Sequence, residues 1–273
     1  MGFFLNGIEK NQSSDEDFKK KASIIVVDDC SNKKLIKLKK FNNIKKIQIL
    51  KLKKNLGSQK AISIGLKYLN NLKIKSIITV LDSDGEDDVK KIPEMIKLAE
   101  KNPEEVVVSC RTKRHENIFF KVLYLCHKLI TFFFTLNWIS FGSFSSFNSK
   151  NLRKILKNRS SWLAFSASVS KNCNLIKLYA ERKKRYLGNS KLSFYDLVNH
   201  SLRVNAVFLN RAIVLSLFYN LALINFIQIE LIFVYVLMSC MFLYIFAMLI
   251  IFILNRSSDF YFSNKFIARK IIL

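Results

Sequence analysis

The chain reads as an α/β fold, a mostly parallel, doubly wound sheet followed by a C-terminal pair of membrane helices. Three observations predict it. Short β-branched runs alternate with amphipathic helical stretches through roughly the first two thirds of the chain. Two of those runs end in acidic clusters, Asp28-Asp29 and Asp82-Ser83-Asp84-Gly85-Glu86-Asp87-Asp88, and in open α/β sheets ligands bind at the carboxyl ends of strands. Near the C-terminus, Leu231–Leu254 runs for 24 residues without a charge, about 36 Å at the helical rise and enough to cross a bilayer.

The elements follow in order. Ser23–Val27 is a strand that ends in Asp28-Asp29-Cys30-Ser31, and Lys45–Leu52 predicts a second. Asn55-Leu56-Gly57-Ser58 then turns into a helix over Gln59–Leu69, with Ala61, Ile64 and Leu69 as its buried face and Gly65 suited to close packing. Ser76–Leu81 predicts a strand, Val89–Glu100 a helix and Glu105–Ser109 another strand. Phe119–Phe141 is aromatic-rich but contains Lys121, His127 and Lys128, which suits an interfacial or core-packing helix better than a membrane span. A strand at Phe144–Asn148, a helix at Lys150–Lys157, a strand at 174–181 and a basic loop at Arg182–Lys191 complete a globular domain over 1–193.

Beyond it, 194–211 predicts a juxtamembrane amphipathic helix and 212–255 two transmembrane helices turning near Gln228-Ile229-Glu230. The first of the two, with Asn220, Asn225 and Gln228, is the weaker span. Residues 256–273 read as a basic cytoplasmic tail. Arg203 and Arg211 precede the pair, and Arg256, Lys265, Arg269 and Lys270 follow it, so by the positive-inside rule both ends face the cytoplasm. No cleavable signal sequence opens the chain. The expected location is the inner (cytoplasmic) membrane, multi-pass, with the globular domain on the cytoplasmic side.

A formal charge of +25 spread through Lys-, Ile- and Asn-rich sequence is most simply a compositional bias, and beside a membrane anchor it favours an anionic membrane surface or phosphorylated substrates. It lacks the recognition motifs of a nucleic-acid partner. Five cysteines without C-x-x-C spacing argue against a disulfide framework or a zinc site.

The chemistry concentrates in the acidic clusters. Asp82 and Asp84 offer hard oxygen ligands that could hold Mg²⁺ or Mn²⁺, which in turn grips a diphosphate. The competing reading is an acidic turn that caps the following helix through Asp87 and Asp88.

Taken together, Val26-Val27-Asp28-Asp29-Cys30-Ser31, Asn55-Leu56-Gly57, Leu81–Asp87 and Arg182-Lys183-Lys184-Arg185-Tyr186-Leu187-Gly188-Asn189-Ser190-Lys191 form an ordered set. In it the chain resembles the inverting family-2 glycosyltransferases of GT-A type, whose sheet is Rossmann-like. Among these it looks most like the membrane-anchored branch that includes dolichol-phosphate mannose synthase and the bacterial polyprenyl-phosphate glycosyltransferases. The resemblance covers residues 23 to about 211. It implies a nucleotide-diphosphate sugar as donor, bound by Asp28, Asp29, Asp82 and Asp84, with Mg²⁺ or Mn²⁺ on Asp82 and Asp84. It implies that Arg182, Arg185 and Lys191 bind phosphate groups, and that Asp84 and Arg185 serve catalysis. The implied partners are a lipid-linked acceptor, of polyprenyl-phosphate type, and the membrane; homo-oligomers are left open. The implied setting is cell-envelope glycan synthesis.

Two departures from the family pattern bear on this. The family begins with a strand ending in P-x-Y-N-E, and no such strand precedes Ser23 here. At Phe141-Gly142-Ser143-Phe144-Ser145 the chain lacks the Asp and Arg of a G-D-F-R-like segment. A lipid phosphate is already anionic near neutral pH, so such an acceptor needs orientation more than a base. Both departures also suit a rival reading, a catalytically inactive homologue that acts as a membrane binding or partner protein.

Overall fold

A computed structural model describes residues 22–31, 44–111, 118–181, 193–224, 231–255 and 257–272. Strand β1 (Ser23–Asp28) pairs in parallel with β2 (Lys46–Leu52), from Ser23 opposite Lys46 to Asp28 opposite Lys51. Helix α1 (Ser58–Asn71) covers them. Its face of Ala61, Ile64, Gly65 and Leu66 is buried. The expected close packing at Gly65 is observed, since a Cβ there would lie 2.9 Å from Val27 Cγ2. Next come β3 (Ile77–Val80), a 3₁₀ turn at Val89–Lys91, α2 (Ile92–Lys101) and β4 (Glu105–Arg111). Helix α2 starts with Pro93 in its first turn, where a missing N–H costs nothing, and buries Ile92, Met95 and Ala99 on one face.

Helix α3 (Ile118–Thr135) leads into β5 (Phe141–Asn148). Short helices α4 (Leu152–Leu156), α5 (Ser160–Leu163) and α6 (Phe165–Asn172) precede β6 (Asn174–Ala180). The second sheet has the order β3-β5-β4-β6. Its centre is dry: Val106, Val107 and Val108 of β4 and Phe147 of β5 are fully buried.

The sheets are mixed, which corrects the expected mostly parallel arrangement. β1 with β2 and β4 with β6 are parallel, whereas β3 with β5, β5 with β4 and β2 with β7 are antiparallel. The reason is where β5 and β7 insert. The Ser-rich β5 enters between β3 and β4 against their direction, and β7 (Ile267–Ile272) comes back from beyond the apolar helices to close β2. Apolar runs and spacing reveal strands but not which neighbour each will choose.

Among the described residues the two sheets are separate, and β1 and β3 are each the end strand of their own. The helical layers nevertheless serve both. Leu66 of α1 shares a cluster with Ile78 of β3, and Ile24 of β1 packs with Ile77 and Leu81 against the α2 cluster of Ile92, Met95 and Ala99.

The C-terminal part holds α7 (Phe194–Ala206), α8 (Leu209–Ile224), α9 (Leu231–Leu254), α10 (Ser257–Tyr261) and β7. The expected turn at Gln228-Ile229-Glu230 lies outside the described residues. Among the described helices only α9, over Ile232–Leu254, is by itself long and apolar enough to cross a membrane; α7 and α8 meet that test only jointly, bent by 89°. The segment expected as a basic tail is ordered into the fold. Lys67 Nζ donates to the carbonyls of Phe260 and Tyr261, and Phe260 and Phe266 pack around buried Trp162.

Candidate active site

The first acidic pair sits at the carboxyl end of β1. Asp28 is buried; its Oδ1 accepts from Ser31 N at 3.0 Å, while its buried Oδ2 has no hydrogen-bond partner among the described residues. A buried carboxylate oxygen left so is costly unless a donor arrives. Asp29 is held by backbone donors. Its two oxygens accept from the backbone N–H of Leu56 and of Gly57, at 2.7 and 2.8 Å. The carboxylate therefore holds the Asn55–Gly57 turn, in which Gly57 takes a φ of 87° that only glycine adopts readily. That turn starts α1.

The second acidic cluster follows β3. Asp82 Oδ2 accepts a hydrogen bond of 2.7 Å from Ser143 Oγ of β5, and Asp82 N donates to Asp87 Oδ2 at 3.4 Å. Asp84 Oδ1 accepts from Glu86 N at 3.1 Å, bending the chain at Gly85, whose φ is 82°. Asp88 caps the 3₁₀ turn ahead of α2 by accepting from Lys90 N. Of the two residues expected to cap the helix, Asp88 does so, whereas Asp87 accepts from Asp82 N; Asp82 and Asp84, the expected metal ligands, stand in the turn beyond the strand.

Among the described residues no three His, Cys, Asp or Glu side chains converge as a metal cage. Two carboxylates on one strand end still fit Mg²⁺ or Mn²⁺, which favour carboxylate oxygens; Mg²⁺ in particular keeps several waters and takes further oxygens from a substrate phosphate. Ser143 is the residue that sequence reasoning missed. It stood in the segment noted only for lacking an Asp and an Arg, and its bond to Asp82 crosses 61 positions. Arg182, Arg185 and Lys191, expected to bind phosphate, lie outside the described residues.

No curated protein matches the chain. The family model for glycosyl transferase family 2 matches residues 10–163, which include both acidic turns, Asn55–Gly57 and Ser143. On that match, which spans more than half of its length, the chain belongs to glycosyl transferase family 2.

Proposed function

We propose that this protein is a membrane-associated, inverting glycosyltransferase that moves a sugar from a nucleotide-diphosphate sugar to a lipid-linked acceptor of polyprenyl-phosphate type. The observation that carries the reading is the pair of acidic strand ends inside the family-2 match. One presents a buried, partnerless oxygen on Asp28, and the other an Asp82 oriented by Ser143. On this reading Asp28 accepts from an N–H or hydroxyl of the nucleoside. Asp82 and Asp84 hold Mg²⁺ or Mn²⁺, which when bound offsets the charge of the diphosphate. Arg182, Arg185 and Lys191 contribute cations for the departing nucleoside diphosphate. The apolar α9 supports a lipid-linked acceptor, because anchoring raises the local concentration of a substrate confined to the same membrane.

The test uses full-length protein in nanodiscs, a labelled UDP- or GDP-sugar and a polyprenyl phosphate. Label should move into the lipid fraction only with Mg²⁺ or Mn²⁺, and Asp84→Asn should remove most of that metal dependence. Nucleotide affinity that is the same with and without metal in the unsubstituted protein would remove the metal assignment. A second reading, an inactive family member that binds without turnover, is favoured by the separation, among the described residues, of the sheets between β1 and β3. It predicts nucleotide binding with no transfer and no hydrolysis.

A further inference from the structure

We propose that Lys60, Arg203 and the indole N–H of Trp162 form a site for a phosphate group at the start of α1, one that needs no metal ion. Trp162 of α5 is 1 % exposed, and its buried Nε1–H has no hydrogen-bond partner among the described residues. Arg203 of α7 touches it directly. Its Nη2 donates to the Trp162 carbonyl at 3.0 Å, while the buried Nε–H of the same guanidinium has no partner among the described residues. Two buried donors left so, on two residues in contact, call for an acceptor.

The charge around these donors is cationic. Lys60 stands half-buried in the first turn of α1, with Nζ 5.4 Å from the centre of the Trp162 ring. Burial, and next the nearby Arg203, lower its pKa; Asp259 opposes them and Lys54 adds to them. The Asp259 carboxylate is already matched by Lys265 Nζ at 2.9 Å. Like charges held together away from water favour an anion beside them. The arrangement is also fixed on both sides of Lys60. Gln59 Oε1 accepts from Phe165 N at 2.7 Å, which ties α1 to α6, and Ser63 Oγ lies 2.9 Å from Ser161 Oγ, which ties it to α5.

The chemistry of the donors selects the ligand. An ammonium, a guanidinium and an indole N–H donate and cannot accept, which suits an oxyanion with several acceptor oxygens, and guanidinium groups bind phosphate well. The position is informative too. Lys60 comes three residues after Gly57, whose N–H Asp29 holds, so the site stands next to the first acidic turn. In the other direction Leu163 and Ala164, which follow Trp162, pack with Ile251 and Phe252 near the end of α9. A phosphate group reaches such a place either from solution or at the head of a lipid, and the chemistry recognised is the same in both.

The inference stands apart from glycosyl transfer and is tested without it. Full-length protein with isotope-labelled tryptophan is placed in phosphatidylcholine nanodiscs with EDTA, which removes any metal from Asp82 and Asp84. The chain has two tryptophans, so Trp138→Phe identifies the indole N–H resonance of Trp162. Inorganic phosphate should shift that resonance to saturation, and Lys60→Gln should weaken the binding about tenfold, as for the loss of a charge-assisted contact. Lys97→Gln, at an exposed position of α2, should leave the affinity unchanged. A parallel titration with a polyprenyl phosphate in the discs identifies the source. Tighter binding of the lipid, weakened by Lys60→Gln, assigns the site to a lipid headgroup, whereas equal affinities assign it to free phosphate. A Trp162 resonance that neither ligand moves overturns the proposal, as does binding that Lys60→Gln and Lys97→Gln weaken alike. Should Trp138→Phe fail to fold, equilibrium dialysis of labelled phosphate against unsubstituted, Lys60→Gln and Lys97→Gln protein gives the same comparison. Phosphate binding without any sugar transfer would leave this site standing and count only against the proposed activity.

Discussion

At Ser143 a single hydroxyl joins two strands of the candidate site. Its charge-assisted bond to Asp82 is worth about 1.5–3 kcal/mol if it behaves as such bonds usually do. Ser143→Ala should therefore weaken metal-dependent nucleotide binding about tenfold or more, measured by calorimetry with a UDP- or GDP-sugar and Mn²⁺. Ser145→Ala, which removes a hydroxyl that donates to the Ser143 carbonyl rather than to a carboxylate, should have a smaller effect. A Ser143→Ala affinity equal to that of the unsubstituted protein would show that Asp82 needs no such orientation. At this scale the sequence was partly readable. The acidic residues stood out because carboxylates at strand ends have a chemical signature, but their division of labour did not. Asp29 spends its oxygens on Leu56 and Gly57, 27 and 28 positions away, and only the folded chain brings those N–H groups to it.

Two elements invite direct tests. Helix α7 opens with a capping box: Ser193 Oγ accepts from Asp196 N while Asp196 Oδ2 accepts from Ser193 N at 3.0 Å. The Ser193 hydrogen bonds, first from its side chain and then from its backbone, hold the Asp196 carboxyl below the ordinary aspartate value. A depressed value in the folded state means that the cap's contribution is present above the unfolded value, near pH 4, and is lost as pH falls through the folded one. Amide exchange in the first turn of α7, corrected for intrinsic rates, should accelerate below about pH 4. Asp196→Ala should bring that fraying to neutral pH; unchanged exchange in the variant would show that the cap is idle.

The second element is the return segment. Phe266 is 8 % exposed and packs near Trp162, and its carbonyl accepts from Lys53 N at 2.8 Å. Phe266→Ala should cost about 3 kcal/mol, visible as a lower melting temperature in micelles. A shift below about 1 kcal/mol would mean that the segment is only loosely held. Strand positions were legible here because β-branched runs bounded by turns are local features. Directions were not, because pairing is decided by distant partners. The stretch Ile267–Ile272 shows why: with Arg269 and Lys270 at its middle it reads as a charged tail, yet it becomes an outer strand whose basic residues are exposed.

For the whole molecule the flanks of the apolar helices set a rule. On one side Arg203 Nη2 donates to the Trp162 carbonyl and Lys171 Nζ to the Val207 carbonyl; on the other, β7 pairs with β2. Both flanks of 209–254 are thus tied to the globular part, and a chain that leaves one side and returns to it crosses a bilayer an even number of times. On the proposed membrane reading, a crossing by α9 would call for a second one from the segment that includes α8, a helix that by itself is not long and apolar enough to span. Cys240, mid-way along α9 and exposed on it, reports on this. In vesicles it should resist a water-soluble maleimide and react once the protein is unfolded in denaturant; labelling in intact vesicles would take α9 out of the hydrocarbon. Length and polarity made α9 readable in advance as one long apolar helix, whereas the tie between β7 and β2 depends on contacts that no local pattern records.

That tie also imposes an order on biosynthesis. β2 leaves the ribosome about 215 residues before its partner Ile267, a wait of roughly 10–40 s at ordinary rates of elongation. For that interval one rim of the first sheet is unfinished and able to pair with a stranger. The apolar α9 emerges before β7 does, so on the proposed membrane reading the nascent chain would meet the bilayer, and be diluted away from its neighbours, before the last strand is available to finish the sheet.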